Sequence, residues 1–184
     1  MLEFTAIDFE TANKYANSAC SLAAVQMRGT QCIQEQYSLI KPPFMTFEPT
    51  NIAIHGITPE QVRQEKNFLQ LWPLFKPCME KKILAAHYAV FDTRVLRSTL
   101  KTYHLDVPVA TYVCTVQISR KVWSQLPNHK LDTVANMLGY SFHHHHALED
   151  AGACAYILCA AARTVGADSV EELMRILALP IHTL

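Results

Sequence analysis

Residues 4–9, FTAIDF, decide the fold. Apolar and β-branched residues alternate loosely through them, which is the pattern of a strand. Two further apolar runs follow: ACSLAAVQMRG from Ala19 and TQCIQEQYSLIKP from Thr30. They meet at Arg28, Gly29 and Thr30, where Gly29 can supply the positive φ that a tight hairpin turn needs. The chain is therefore expected to open with three antiparallel strands. Working outward, the proline-bearing stretch 42–49 reads as loop. Thr58, Pro59 and Glu60 read as a helix start, a hydroxyl cap with proline at the first helical position. Helices are expected over 59–64 and 68–77, and a short buried strand in KKILAAH (81–87). In DTRVLRSTLKTYH (92–104), Val95, Leu96 and Leu100 recur at helical spacing. A strand near 109–113 and helices near 115–123, 131–138, 148–165 and 170–177 complete the reading, with 124–130 a loop. Strands in antiparallel order, then strand alternating with helix, describe an α/β fold: a mixed five-stranded sheet flanked by helices. No repeat or flexible linker divides the chain, so one domain is expected over residues 1–184.

Composition narrows the function classes. Half of the 184 residues are hydrophobic and only 17% charged, a balance that builds a core and argues against a disordered chain. Sixteen basic residues offset sixteen acidic ones, so no global field advertises a polyanion, and any nucleic-acid binding must be local. Basic residues do gather, at Lys81 with Lys82, at Arg94, Arg97 and Lys101, at Arg120 with Lys121, and at Lys130. The six cysteines show no C-x-x-C pair or zinc-ribbon spacing and are expected as reduced, mostly buried thiols. Acids at Glu3, Asp8 and Glu10 fit neither a secretory signal nor a transit peptide, and no apolar run is long enough to span a bilayer. A cytoplasmic chain with no membrane partner is expected.

The carboxylates carry the chemistry. Asp8 and Glu10 stand two apart on the first strand, so their side chains project from one face. A lone pair of this kind is more often an exposed strand face than a site. Asp92 and Asp150, however, each open a helix beside a buried apolar segment, where an unpaired carboxylate is costly to desolvate. A divalent cation resolves that cost. Carboxylate oxygens suit Mg²⁺ or Mn²⁺, and two such ions about 3.5–4 Å apart form the clamp used for phosphoryl displacement. Such chemistry also needs a base, a task suited to histidine. Four histidines run from His143 to His146, and an internal run argues against an expression tag.

Three motifs resemble those of the DEDDh exonucleases, the family of bacterial polymerase III proofreading subunits and exonuclease X. DFET (8–11) is similar to the first motif and AHYAVFD (86–92) to the second. The third is histidine, four residues, aspartate, and counting back from Asp150 selects His145. NIAIHGIT (51–58), YVCTVQISRKVW (112–123) and HKLDTVANMLG (129–139) extend the similarity over most of the chain. The resemblance implies an RNase H-like fold and a metal-dependent 3′ to 5′ exonuclease. In it Asp8, Glu10, Asp92 and Asp150 hold two ions, Mg²⁺ or Mn²⁺, and His145 is the general base. Thr11, Ile54, His55 and Phe91 become candidate substrate contacts, and His143, His144 and His146 solvated loop residues. One departure stands out: Tyr88 occupies a position where many relatives carry asparagine. Expected partners are nucleic-acid 3′ ends, DNA before RNA, with a polymerase or a second copy of the chain also possible. Two rivals stay open: a ribonuclease of the same architecture, and a catalytically idle subunit that docks on a polymerase.

Overall fold

The computed structural model describes residues 1–184. Strand β1 (Glu3–Thr11) lies at the centre, paired antiparallel with β2 (Ala19–Arg28), which pairs antiparallel with β3 (Gln31–Leu39). Gly29 takes the first position of the two-residue β2–β3 turn at φ 60°, a conformation glycine adopts without the Cβ clash of other residues. Three helices follow, α1 (Pro49–His55), α2 (Pro59–Val62) and α3 (Phe68–Met79), and the chain then returns to the sheet. Strand β4 (Ile83–Ala86) joins parallel to β1, and after α4 (Val90–Thr102), β5 (Thr111–Cys114) joins parallel to β4. The remainder is α5 (Thr115–Val122), α6 (Leu131–Met137), α7 (Ala147–Val165), α8 (Val170–Ile176) and β6 (His182–Thr183).

The sheet order is β3-β2-β1-β4-β5-β6. It has six strands rather than the five expected, because β6 pairs antiparallel with β5 at the edge. A two-residue strand has too little alternation to be read from sequence. Helix α1 is also additional, since the sequence reading ends its loop at Pro49 and assigns no element to 50–57. It buries none of its side chains, so it carries no apolar period, and its signals are Pro49 at its start and Gly56 at its C-cap.

Alternation along β1 divides the core. Ile7 and Phe9 turn to one face, where they meet Phe68, Phe75 and Leu96 of α3 and α4. Phe4 and Ala6 turn to the other, against Ala151, Cys154 and Leu158 of α7 and Ile118 of α5. Asp8 and Glu10 continue the second face toward the end of the strand. Small residues dominate this contact: Ala6 and Ala23 on the sheet oppose Ala147, Ala151, Cys154 and Ala155 on the helix. Without bulky side chains between them α7 packs close, which carries its first turn to the carboxylate end of β1. The Thr5 hydroxyl donates to the Cys78 carbonyl at 2.7 Å, fixing β1 to the end of α3. All six cysteines are free, and only Cys32 is exposed. No helix is long and apolar enough to cross a membrane.

Candidate active site

Where β1 and β4 end, the first turns of α4 and α7 close in. Carboxylate oxygens of Asp8, Glu10 and Asp150 lie within 4.8 Å of one another. Asp92, only 1% exposed, stands beside them in the first turn of α4 and accepts the Phe9 amide at 3.1 Å. The structure thus gathers three of the four acids tightly and sets Asp92 behind them, tied to the strand that carries the other two.

No lysine or arginine pairs with these acids. Burial, and then repulsion from Asp92, Asp150 and Glu10, holds the Asp8 carboxyl well above the usual range. Burial, with Asp150 and Asp92 adding to it, pushes Glu10 up to about 8. Burial also raises Asp92 to about 8, although amide donors to its carboxylate oppose the rise. Asp150 is raised to about 7 by burial, offset in part by the His145 amide. Four crowded acids with shifts in one direction are the signature of an electrostatic deficit that a cation would fill.

The histidine run divides by position. The His145 amide donates to both Asp150 oxygens, at 3.3 and 3.1 Å, and its backbone sits in the left-handed region at φ 71°. Its ring stacks on that of His144, with centroids 3.9 Å apart, and one nitrogen of each lies within 4.8 Å of an Asp150 oxygen. His144 Nε2 is 3.8 Å from Asp150 Oδ2. This corrects the reading of His144 as a solvated loop residue: it lines the site, because the left-handed step at His145 folds the loop back over the helix end. His143 faces outward and pairs with Glu149 at 3.3 Å, and His146 lies against the Tyr37 ring with centroids 4.9 Å apart.

These groups open onto a cavity of about 520 Å³. Asp8, Glu10, Asp150, His144 and His145 line it, as do Arg120 from the last turn of α5 and Asn128, His129 and Lys130 from the loop between α5 and α6. His87 braces the two: its Nδ1 is 2.9 Å from the Thr115 hydroxyl and its Nε2 is 2.9 Å from the His129 carbonyl, while burial lowers its pKa to about 4. The sequence reading noted Arg120 and Lys130 only as basic residues, and missed Asn128, His129 and the bracing role of His87. The folding back of a proline-bearing loop leaves no periodic trace in sequence.

Of the four candidate substrate contacts, Phe91 lines the cavity with Tyr88. Thr11, Ile54 and His55 do not line it. The Thr11 side chain is buried, and its carbonyl receives Asn51 Nδ2 at 2.9 Å and His55 Nε2 at 3.1 Å. His55 Nδ1 accepts the Ile57 amide, so both ring nitrogens are engaged in holding α1 to β1. Ile54 projects from α1 with half its surface exposed.

The sequence profile of the RNase T exonuclease family matches residues 3–158. Among full-length relatives, a PolC-type DNA polymerase III of Lacticaseibacillus paracasei is 32% identical over 181 residues, or 93% of this chain. The corresponding enzyme of Thermotoga maritima is 32% identical over 158 residues, or 84% of this chain. The chain spans only 12% and 11% of those two polymerases. Among solved structures, exonuclease X bound to 5′ overhanging duplex DNA superposes with a TM-score of 0.77 at 22% identity, over 95% of this chain and 99% of that one. The nuclease domain of 3′hExo, a DEDDh family member bound to rAMP, gives 0.72 at 18% identity, over 88% of this chain and 92% of the other. The family match thus falls on the same residues that bring the acids together, and the chain belongs to the RNase T exonuclease family, the DEDDh exonucleases.

Proposed function

We propose that this chain is a 3′ to 5′ exonuclease that removes terminal nucleotides from single-stranded DNA as nucleoside 5′-monophosphates. The observation that carries the reading is the meeting of Asp8, Glu10 and Asp150 within 4.8 Å, without a protein cation, in an open cavity. Carboxylate oxygens are hard ligands, and the raised pKa values show a site short of positive charge, so the donor set fits Mg²⁺ or Mn²⁺. Asp8, Glu10 and Asp150, with Asp92 behind them, would hold two such ions, which supply Lewis-acid activation of water and stabilise the departing 3′ oxygen. His145 acts as general base on the attacking water, its backbone fixed by Asp150. Arg120 and Lys130 offer positive charge to the strand's phosphates, which the neutral chain provides nowhere by net charge. Single-stranded ends are favoured because a terminal nucleotide must leave its partner before it can be cut. RNA is the second substrate class, since acids acting on phosphate do not read the 2′-OH. The similarity to PolC-type polymerases supports work alongside a polymerase.

A time course on 5′-labelled single-stranded DNA and RNA, with Mg²⁺, Mn²⁺ or EDTA, tests this. A metal-dependent ladder shrinking from the 3′ end is expected, faster on DNA. Intact strands in every lane would shift the reading to an idle docking subunit.

The raised carboxylates also set a pH dependence for the metal-free protein. A group whose folded pKa lies above its unfolded value contributes stability fully present below the unfolded pKa, near 4. That contribution is lost as pH rises through the folded values of about 7 to 8 for Asp150, Glu10 and Asp92. Divalent cations bind the deprotonated acids and reverse the loss. The increase in Tm on adding Mn²⁺ should therefore be larger at pH 8 than at pH 5.5. Differential scanning calorimetry at the two pH values measures it, and equal increases would separate the acids from the metal.

A further inference from the structure

Resting on the exonuclease reading above, we propose that Tyr88 is a stacking platform that grips a base of the substrate strand at the mouth of the cavity. Its ring lines the same cavity as Asp8 and Glu10, yet the residue is 64% exposed. It packs against no other aromatic ring, and its neighbour Val90 is equally open at 63%. The surface that Tyr88 shows to solvent gains nothing for the fold by burial.

The backbone points the same way. Tyr88 sits at φ 71°, the left-handed region where a Cβ crowds the following carbonyl and where glycine or asparagine is at home. Local conformation therefore does not select tyrosine here, and neither does packing. The conformation places Tyr88 at the entrance to α4, four residues before Asp92, where its carbonyl accepts the Phe91 amide at 2.9 Å and both side chains line the cavity. The same cavity is lined by Arg120 and Lys130, neither in an ion pair with a protein carboxylate. An exposed aromatic face and unpaired cations lining one cavity match the two parts of a nucleotide, base and phosphate, and that combination binds single strands without reading sequence.

The experiment uses single-stranded DNA carrying 2-aminopurine at the 3′-terminal or the penultimate position, with phosphorothioate linkages at the end to block cleavage. Quenching of the probe on binding is read for the wild-type chain and for Tyr88→Phe, Tyr88→Gly and Tyr88→Asn, beside kcat and KM on unmodified strand. Stacking needs the ring and not the hydroxyl, so Tyr88→Phe should keep both quenching and KM. Tyr88→Gly and Tyr88→Asn should lose the quenching and raise KM roughly 5- to 150-fold with kcat little changed, the range expected for one stacked base. Both should also melt at or above the wild-type temperature, since each accepts the left-handed backbone. Unchanged quenching and KM in these two variants, or a lower Tm with a parallel fall in kcat, would overturn the proposal while leaving the exonuclease reading in place. A wild-type chain that neither binds nor shortens the strand would overturn both.

Discussion

Asp8→Asn should abolish most turnover and raise the melting temperature of the metal-free protein. The two effects come from one cause. Asp8 lies at the convergence of four acids, and its carboxyl is held well above the usual range by burial and by Asp92, Asp150 and Glu10. At pH 8, asparagine removes that repulsion without changing the shape of the side chain. Each kcal/mol recovered corresponds to roughly 2–4 °C for a chain of this size. The same substitution removes an anionic ligand from the proposed metal clamp. Metal ions supply several kcal/mol of transition-state stabilisation, and each 1.36 kcal/mol is tenfold, so turnover should fall on the order of a thousandfold. Calorimetry in EDTA and initial rates on single-stranded DNA measure the two quantities. Near wild-type rates would remove Asp8 from the clamp, and a lower Tm would show that its charge is satisfied within the fold. A site that trades stability for chemistry gives opposite signs in the two measurements.

The second large effect belongs to the histidine run. His145→Ala should cost roughly 10²- to 10⁴-fold in turnover, the usual contribution of a positioned general base. The variant is unusually clean because Asp150 is held by the His145 backbone amide and not by its ring. Alanine keeps that hydrogen bond, so the loss reports the imidazole. His143→Ala should leave the rate within about twofold, since that ring faces Glu149 and solvent. Rates from the two variants, run side by side with melting curves, decide the assignment. A large loss at His143 with none at His145 would mean that the loop sits two residues out of register with the acids. The stacked His144 ring, whose pKa burial lowers, shares the cavity but lacks the amide tie to Asp150.

Much of this arrangement was legible in the sequence, for reasons that can be assigned residue by residue. Period-two alternation in β1 showed that Asp8 and Glu10 share a face, because the pleat admits no other outcome. Gly29 marked the hairpin, and Thr58 with Pro59 marked a helix start, each through a backbone requirement that few residues meet. Asp92 and Asp150 stood out as acids opening helices beside buried segments, the cost of desolvating them suggested a cation shared with the strand pair, and the resemblance to the DEDDh motifs gave the four acids one role. What could not be read depended on long-range closure. Lys130 joins the lining of the cavity through the loop that His87 pins by way of the His129 carbonyl, a contact between residues 42 apart, and Arg120 joins it from α5. Ile54 and His55 were candidate substrate contacts through the resemblance alone, and neither lines the cavity of the acids. In the fold, His55 fastens α1 to β1. His144 was read as a solvated loop residue because nothing in four identical letters shows where a left-handed step will turn the chain.

That repetition gives the loop a tolerance of its own. The spacing from His145 to Asp150 is set by the chain length needed for an amide to reach back onto a carboxylate in the first turn of α7. In most loops, losing or gaining a residue would put a different side chain at that spot. Here, removing any one histidine of the run, or adding one, leaves a histidine five positions before Asp150. Loss of His143 or His144 leaves His145 in place, and loss of His145 or His146 brings His144 to the same spacing. A single-residue change in the length of the run therefore keeps an imidazole-bearing residue at the position whose amide reaches Asp150.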